Sequence, residues 1–302
     1  MNNILKFISN SKKHLVKKYS ILNLKIILKK MFTADICEFN EGVKESLFNI
    51  FKFEYKMLSW VFLTSTILRW IAVLTMFIDH VGLIAYPNVE ELRIVGRMAF
   101  PIFAFLSIIA INYSRRPLYY TFRFLFMGTI IQIGILILSK NGFNESLKPG
   151  YFNIMFMLFL GSFSAYLHRK NIYIGLVFTF LTFVFLFLGE YSISNIASTK
   201  YLFRIDYHSY GYLIIMMFYY SFLIDKYFKN QLIFKILVIL LFIVVNVVYS
   251  YLNLISEIQI YSLIDIPLFL FYSYKKPIKF WLLNNFFLLS YPLSFVFPLV
   301  FI

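Results

Sequence analysis

Two long apolar stretches constrain the fold of this chain more than any other feature. Residues Ile172 to Leu188 and Leu232 to Val248 are almost continuously apolar. Strands of membrane barrels alternate apolar and polar residues over about 10 positions, so uninterrupted stretches favour transmembrane helices instead. The composition agrees, because 61% of the residues are hydrophobic and 14% are charged, against about 45–50% and about 25% in soluble domains. We therefore expect an integral membrane protein.

Apolar windows bounded by charged or turn residues predict an all-α, polytopic transmembrane helix bundle with about nine spans. Each crossing uses about 20 residues, and the chain has 302. The predicted spans are Val61–Tyr86, Ile94–Tyr113, Leu118–Leu138, Tyr151–Leu167, Ile172–Leu188, Tyr210–Leu223, Leu232–Tyr251, Ile258–Tyr274 and Leu282–Ile302.

The distribution of Lys and Arg predicts a cytoplasmic N-terminus and an outer C-terminus. In this orientation, residues 1–60 place eleven Lys inside and the cytoplasmic loops place eleven Lys and Arg there, against six on the outer side. Positively charged loops stay in the cytoplasm. Topology therefore accounts for the net charge of +15, and no nucleic-acid partner is expected.

The chain divides into residues 1–60, a basic N-terminal arm, and residues 61–302, the transmembrane domain. The arm interleaves Lys with apolar residues, which is typical of a cytoplasmic helix lying on anionic membrane lipids; a solvated tail is equally compatible with it. Cys37 is the one cysteine, so no disulfide or cysteine-based metal site forms within one chain. The four histidines are too widely spaced to predict a metal site.

Charged residues in the first two spans predict a functional site. Asp79 and Arg97 each lie nine residues from Asn88 in the intervening turn, so in a helical hairpin they face each other near the outer surface. A charge inside a membrane is costly, and we expect the two to form an ion pair. That pair alone is also compatible with a purely structural role, in which it holds the two helices together. His80 beside it is a general-base candidate.

Polar residues on other spans are expected at the same outer side. Asn153 either caps a helix or lines the site, with capping favoured. Asp206 and Tyr207 precede the sixth span, and Ser294 follows a proline in the last one. Together they predict an outward-facing polar pocket. Asp265 is a further acid inside a predicted span, the eighth, two residues before Pro267, which permits a kink there.

Several of these residues belong to motifs that resemble the TraX family of bacterial membrane proteins. The resemblance covers about residues 66–297, and it departs at Ser294, where the family pattern has His after Tyr-Pro-Leu. The matching segments are Ile78–Gly82, Leu92–Phe105, Phe152-Asn153 with Phe156 and Leu160-Gly161, Ile205–Gly211 and Tyr291–Leu293.

The resemblance implies an acetyltransferase of the bacterial cytoplasmic membrane, associated with N-terminal acetylation of conjugative pilin. It implies acetyl-CoA as the cytoplasmic co-substrate, His80 as the base, and Arg97 as the partner of Asp79 or the oxyanion stabiliser. Arg115 and Arg116 are candidates for the coenzyme phosphates, although basic loops are usually topology signals. Asn153, Asp206, Tyr207 and Ser294 are then expected to line the acceptor pocket.

The acceptor remains open among a pilin-like peptide, a lipid head group and a glycan. The alternative to an enzyme is a non-enzymatic membrane protein. It is either a transporter that uses Asp79, Arg97 and Asp265 as its path, or an assembly factor.

Overall fold

The computed structural model describes residues 63–140, 151–195, 204–228, 231–272 and 281–298. One compact unit comprises residues 54–278 and 284–302. The second unit, residues 1–53 with 279–283, is described only at residues 281–283, which are helical. The predicted N-terminal arm therefore lies outside the described residues, and its placement stays a prediction.

Within those ranges the chain is predominantly helical, which confirms the predicted all-α class. A parallel pair of two-residue strands joins Tyr151 to Arg204 and Phe152 to Ile205. The elements are α1 (Ser65–Ile84), α2 (Glu90–Gly96), α3 (Ala99–Tyr113), α4 (Pro117–Lys140), β1 (Tyr151–Phe152), α5 (Ile154–Lys170), α6 (Ile172–Asn195), β2 (Arg204–Ile205), α7 (His208–Phe228), α8 (Gln231–Tyr251), a 3-10 helix (Glu257–Asp265), α9 (Ile266–Leu270) and α10 (Trp281–Val296).

Four helical stretches of the described chain are long and apolar enough to cross a membrane. Large apolar side chains on α6 are exposed, as at Phe180 (66%) and Leu181 (59%), which suits a helix that faces lipid. Helices of this kind indicate a membrane protein. The four stretches are Ser65–Ile84, Glu90–Tyr113, Pro117–Ile137 and Ile172–Gly189.

Helix α3 lies at the centre of the bundle and buries apolar residues on every side. Ile102, Phe105 and Ile108 are fully buried, as expected of a helix that is hydrophobic all round. The Phe105 ring packs within 5.2 Å, between centroids, of the rings of Phe218 and Phe269. These contacts join α3 to α7 and α9.

A break between α2 and α3 places the Arg97 side chain at one end of the bundle. Pro101 has no N–H to donate to the Arg97 carbonyl four residues earlier, so the regular α-helical bond is missing there. The backbone tightens instead, with Arg97 N donating to Ile94 O (3.1 Å) and Met98 N to Val95 O (3.3 Å).

The predicted eighth span, Ile258–Tyr274, is not one continuous α-helix. It consists of the 3-10 helix followed by the short α9, and residues 273–274 lie outside the described residues. Two features explain the difference. Its buried polar residues recur every three positions, at Gln259, Ser262 and Asp265, which matches the three residues per turn of a 3-10 helix. Pro267 then lacks the donor that an uninterrupted helix needs.

A glycine pair tests the packing of α5 against α7. A Cβ on Gly161 would lie 2.4 Å from Ile215 Cγ2, whereas one on Gly134 of α4 would meet no atom within 4 Å. We expect Gly161→Ala to lower the free energy of unfolding by about 1–3 kcal/mol through overpacking. Gly134→Ala, the matched control, should raise it by about 0.5–1 kcal/mol because alanine favours a helix. Unfolding in detergent micelles measures both, and equal effects would contradict the packing.

Candidate functional site

The centre of the candidate site is one carboxylate held by two guanidinium groups. Asp79 Oδ1 lies 2.5 Å from Arg97 Nη2, and Asp79 Oδ2 lies 2.8 Å from Arg93 Nη1. The predicted Asp79–Arg97 ion pair is confirmed. Arg93 also pairs with Asp79, because residues four apart on a helix share a face and Arg93 precedes Arg97 by four. This spacing is the sequence signal that identifies Arg93 once Arg97 is recognised.

The hairpin of α1 and α2 brings these charges together at very close range. Gly96 makes this possible, because a Cβ at that position would lie 2.2 Å from Asp79 Oδ1. Gly82 allows a similar approach on α1, where a Cβ would lie 2.8 Å from Leu92 Cβ. The two glycines let the helices approach until the carboxylate contacts both guanidinium groups.

The two arginines differ in how fully they are engaged. Arg97 donates from Nε to the Arg93 carbonyl (3.0 Å), from Nη2 to Asp79, and from Nη1 to Gln259 Oε1 (3.4 Å). Its side chain is 9% exposed, against 22% for Arg93. Arg97 therefore serves chiefly as a pair partner, and Arg93 presents the more accessible positive charge.

His80 is oriented by the last helix of the described chain. Its Nδ1 lies 2.6 Å from Ser294 Oγ, and its ring packs 4.1 Å, between centroids, from Phe295. The Ser294 hydroxyl donates its one hydrogen to the Tyr291 carbonyl (2.6 Å), so Ser294 accepts from Nδ1–H of the imidazole. This assignment leaves the Nε2 lone pair free to accept a proton, and it places Ser294, where the family pattern has His, against the candidate base.

Asn153 caps α5, as the favoured interpretation predicted. Its Oδ1 accepts from the Met155 amide (3.1 Å), and its Nδ2 donates to the Gly128 carbonyl (2.8 Å) and to Gln132 Oε1 (3.2 Å). The side chain is 2% exposed. Asn153 thus joins α5 to α4, and a role in contacting the acceptor stays a prediction.

The short strand pair places Asp206 and Tyr207 beside the ion pair. Asp206 N donates to the Phe152 carbonyl (2.9 Å), and the Tyr207 ring stacks on Phe100 at 4.1 Å between centroids. Tyr207 and His208 both have positive φ, 65° and 43°, conformations that cost non-glycine residues energy and concentrate at functional sites.

Asp206 lies in the connection between β2 and α7 and carries an unusual carboxyl. Partial burial raises its pKa to about 7, although the Arg97 guanidinium nearby favours the ionised form and Asp79 opposes it. The site therefore gains a negative charge as the pH rises through neutrality. Motif spacing alone does not predict this, because the burial of Asp206 arises from packing.

Arg115 and Arg116 are not part of this group of residues. They are exposed and lie beyond the opposite end of α3. Arg169 comes close to them in space, since its Nη1 donates to the Ile111 carbonyl near the end of α3. Among the described residues, no group of three or more His, Cys, Asp or Glu side chains is arranged to hold a metal ion.

Comparison with known proteins identifies the family. The TraX protein family matches residues 64–301. The chain belongs to the TraX family. It is also similar to an uncharacterized protein of Rickettsia prowazekii (strain Madrid E), with 34% identity over 106 residues. That match covers 35% of this chain and 38% of the relative, so the chain spans well under two thirds of that protein's length. No solved structure matches the chain.

The Asp206 carboxyl predicts a pH dependence of stability. Its folded pKa of about 7 exceeds the value of about 3.9 for a free aspartate, so folding favours the protonated form. Its contribution to stability is complete below about pH 4 and is lost as the pH rises towards 7. We expect the melting temperature to fall between about pH 4 and about pH 7, and to fall less in Asp206→Asn. Glu91→Gln, at an exposed position of α2, is the control and should retain the wild-type slope; equal slopes in all three proteins would contradict the assignment.

Proposed function

We propose that this TraX-family protein is a membrane-embedded acetyltransferase of the bacterial cytoplasmic membrane. It moves the acetyl group of cytoplasmic acetyl-CoA to an amine or hydroxyl acceptor at the outer face. The observation that carries this proposal is the hydrogen bond that holds His80 Nδ1 on Ser294, beside the Asp79–Arg93–Arg97 group. It combines an oriented base with fixed positive charge.

His80 acts as the general base in this proposal. Its Nε2 takes a proton from the acceptor, whose nitrogen or oxygen then attacks the thioester carbonyl carbon; the new bond to carbon forms, and the carbon–sulfur bond breaks. The coenzyme thiolate leaves and takes up the second proton that an attacking amine loses, while His80 releases its proton to water; for a hydroxyl acceptor, the thiolate takes up the proton held by His80. A terminal amine has a pKa of about 7.7–8.0, and a neutral imidazole is suited to deprotonate it near neutral pH.

Arg93 is the better candidate to stabilise the negative charge that develops on the carbonyl oxygen. Such stabilisation requires donors that are fixed before the reaction begins. Asp79 holds the Arg93 side chain in place, yet 22% of it is exposed. The proposal therefore assigns Arg97 to positioning, and Arg93 to the oxyanion.

The opposite end of the bundle suits the coenzyme. Arg115 and Arg116 follow α3 there, Arg169 bonds to the Ile111 carbonyl near the end of the same helix, and Lys170 follows Arg169. Arginine and lysine are the usual partners of phosphate. This end is cytoplasmic if the N-terminus lies inside, as the distribution of positive charge predicts. In this arrangement the thioester enters the bundle between the helices and approaches the site from within the membrane.

The acceptor side favours a cationic group. Above about pH 7 the Asp206 carboxyl is ionised, and it lies beside Tyr207 at the entrance to α7. A carboxylate attracts an ammonium group, which favours an amine such as a pilin-like N-terminus over a neutral glycan hydroxyl.

A transporter is the second candidate, and one observation favours it. The helix that carries Asp265 changes from 3-10 to α within the bundle, and interrupted helices form substrate and ion sites in transporters. A carrier has no reason to bind acetyl-CoA. Coenzyme binding therefore separates the two functions.

Acetyl transfer is tested with membranes that contain the intact chain and acetyl-CoA labelled in the acetyl group. We expect label on a peptide, lipid or glycan, and a loss of about 100-fold or more in His80→Ala, as for removal of a general base. The matched control is His168→Ala, since His168 is also a buried histidine (7% exposed, against 8% for His80) but bonds to the Ser164 carbonyl and Tyr220. Transfer that survives in His80→Ala would reject this base. Absence of both transfer and coenzyme binding would reject the enzyme.

Ser294 gives a graded test of the same base. Ser294→Ala removes the acceptor of the Nδ1–H bond, so we expect a smaller loss of transfer than in His80→Ala, with the pH profile shifted. Ser294→His introduces the residue of the family pattern and should retain transfer. Full activity in Ser294→Ala would show that this hydrogen bond does not position the base.

The orientation is tested with single cysteines in a Cys37→Ser background. Tyr86 (47% exposed) lies in the turn between α1 and α2, and exposed Arg116 lies between α3 and α4. A membrane-impermeant maleimide should label Tyr86→Cys in intact spheroplasts, and Arg116→Cys only after lysis. The reverse pattern would invert the topology.

A further inference from the structure

The 3-10 helix presents a row of three buried polar side chains to the bundle interior. Gln259 (2% exposed), Ser262 and Asp265 (both 0%) recur every third residue. Residues three apart eclipse one another on a 3-10 helix, with a rise of about 2 Å per residue. We call these three residues the polar ladder; its first and last members are about 12 Å apart along the helix axis.

The first two members of the polar ladder are connected to the candidate site by hydrogen bonds. Gln259 accepts from Arg97 Nη1 and donates from Nε2 to the Tyr210 hydroxyl, each at 3.4 Å. Tyr210 and Ser262 both donate to Asn246 Oδ1 at 3.0 Å. A continuous path of polar atoms therefore leads from the ion pair to Ser262.

Asp265 ends the ladder differently. Both carboxyl oxygens are buried, and neither has a hydrogen-bond partner among the described residues. An unpaired carboxylate in an apolar interior is so costly that the group binds a proton and becomes neutral instead. A buried carboxyl inside a membrane is also unusual enough to indicate a function.

The surrounding elements offer no alternative partner in the described chain. The 3-10 helix packs against α2, α3, α8 and α9, and none of their charged or titratable groups bonds to Asp265. Tyr210 of α7 interacts with Asp265 electrostatically. The charged or titratable groups on or directly following these elements are Glu90, Glu91, Arg93, Arg97, Tyr113, Lys235, Tyr249 and Tyr251.

We propose that Asp265 is a proton-binding site in the bundle interior, at the end of the polar ladder. The ligand is a proton, held covalently on one carboxyl oxygen. The proposal does not rest on acetyl transfer, since it follows from the burial of Asp265 and from the lack of a hydrogen-bond partner for either carboxyl oxygen among the described residues.

Infrared spectroscopy of the full-length protein in lipid nanodiscs tests the site directly. At neutral pH in potassium buffer, a protonated carboxyl gives a C=O stretching band that a carboxylate lacks. We expect this band in the wild-type protein and its loss in Asp265→Asn. Asp206→Asn is the matched control, because any contribution from that carboxyl has to be separated from the band of Asp265.

Two further measurements separate a bound proton from a bound sodium ion and from an unfolded variant. Loss of the band when sodium is added would show that Asp265 binds Na⁺ and would overturn the proton site, as would an unchanged spectrum in Asp265→Asn. If Asp265→Asn does not fold, Asp265→Glu is used in its place. A change in the frequency of the C=O band in Asp265→Glu supports the proposal, and an unchanged frequency rejects it.

Discussion

The cost of placing charge in an apolar bundle determines how the candidate site is built. Asp79 is stable there because two guanidinium groups neutralise it and donate to its oxygens; removal of one partner would leave a poorly solvated charge. This requirement fixes the approach of α1 and α2, and with it the glycine at position 96 that permits the approach. The position of His80 next to the ion pair follows from the same hairpin, and the 3-10 helix adds Gln259, which accepts from Arg97.

Around this ion pair the structure arranges three kinds of chemistry. An imidazole is oriented by a serine, two guanidinium groups supply fixed positive charge, and Asp206 supplies a carboxyl that ionises near neutral pH. Each group comes from a different part of the chain and is held by a local backbone feature. Pro101 interrupts the helix after Arg97, and the strand pair fixes the segment before α7. The same features that interrupt regular helices thereby position the polar groups.

Sequence patterns predicted much of this arrangement, and the failures have identifiable causes. Equal spacing from Asn88 predicted the Asp79–Arg97 pair, because a helical hairpin has a fixed rise per residue. The role of Asn153 as a cap followed from its position before an apolar helix. The change of helix type within the eighth span was not predicted, since an apolar window reports hydrophobicity and not the period of the polar residues within it. The pairing of Arg93 with Asp79 was not predicted, because the partner lies on another helix.

The sequence by itself determined the helical class, the apolar character of the helices and the family, because these depend on composition, local periodicity and short motifs. Only the tertiary structure decided that Ser294 contacts His80 and that Asp265 is buried without a hydrogen-bond partner in the described part of the chain. Ser294 and His80 are 214 residues apart, and no local rule sets such a distance. Whether a polar group is paired, exposed or isolated depends on every helix packed around it, and that is a property of the assembled bundle.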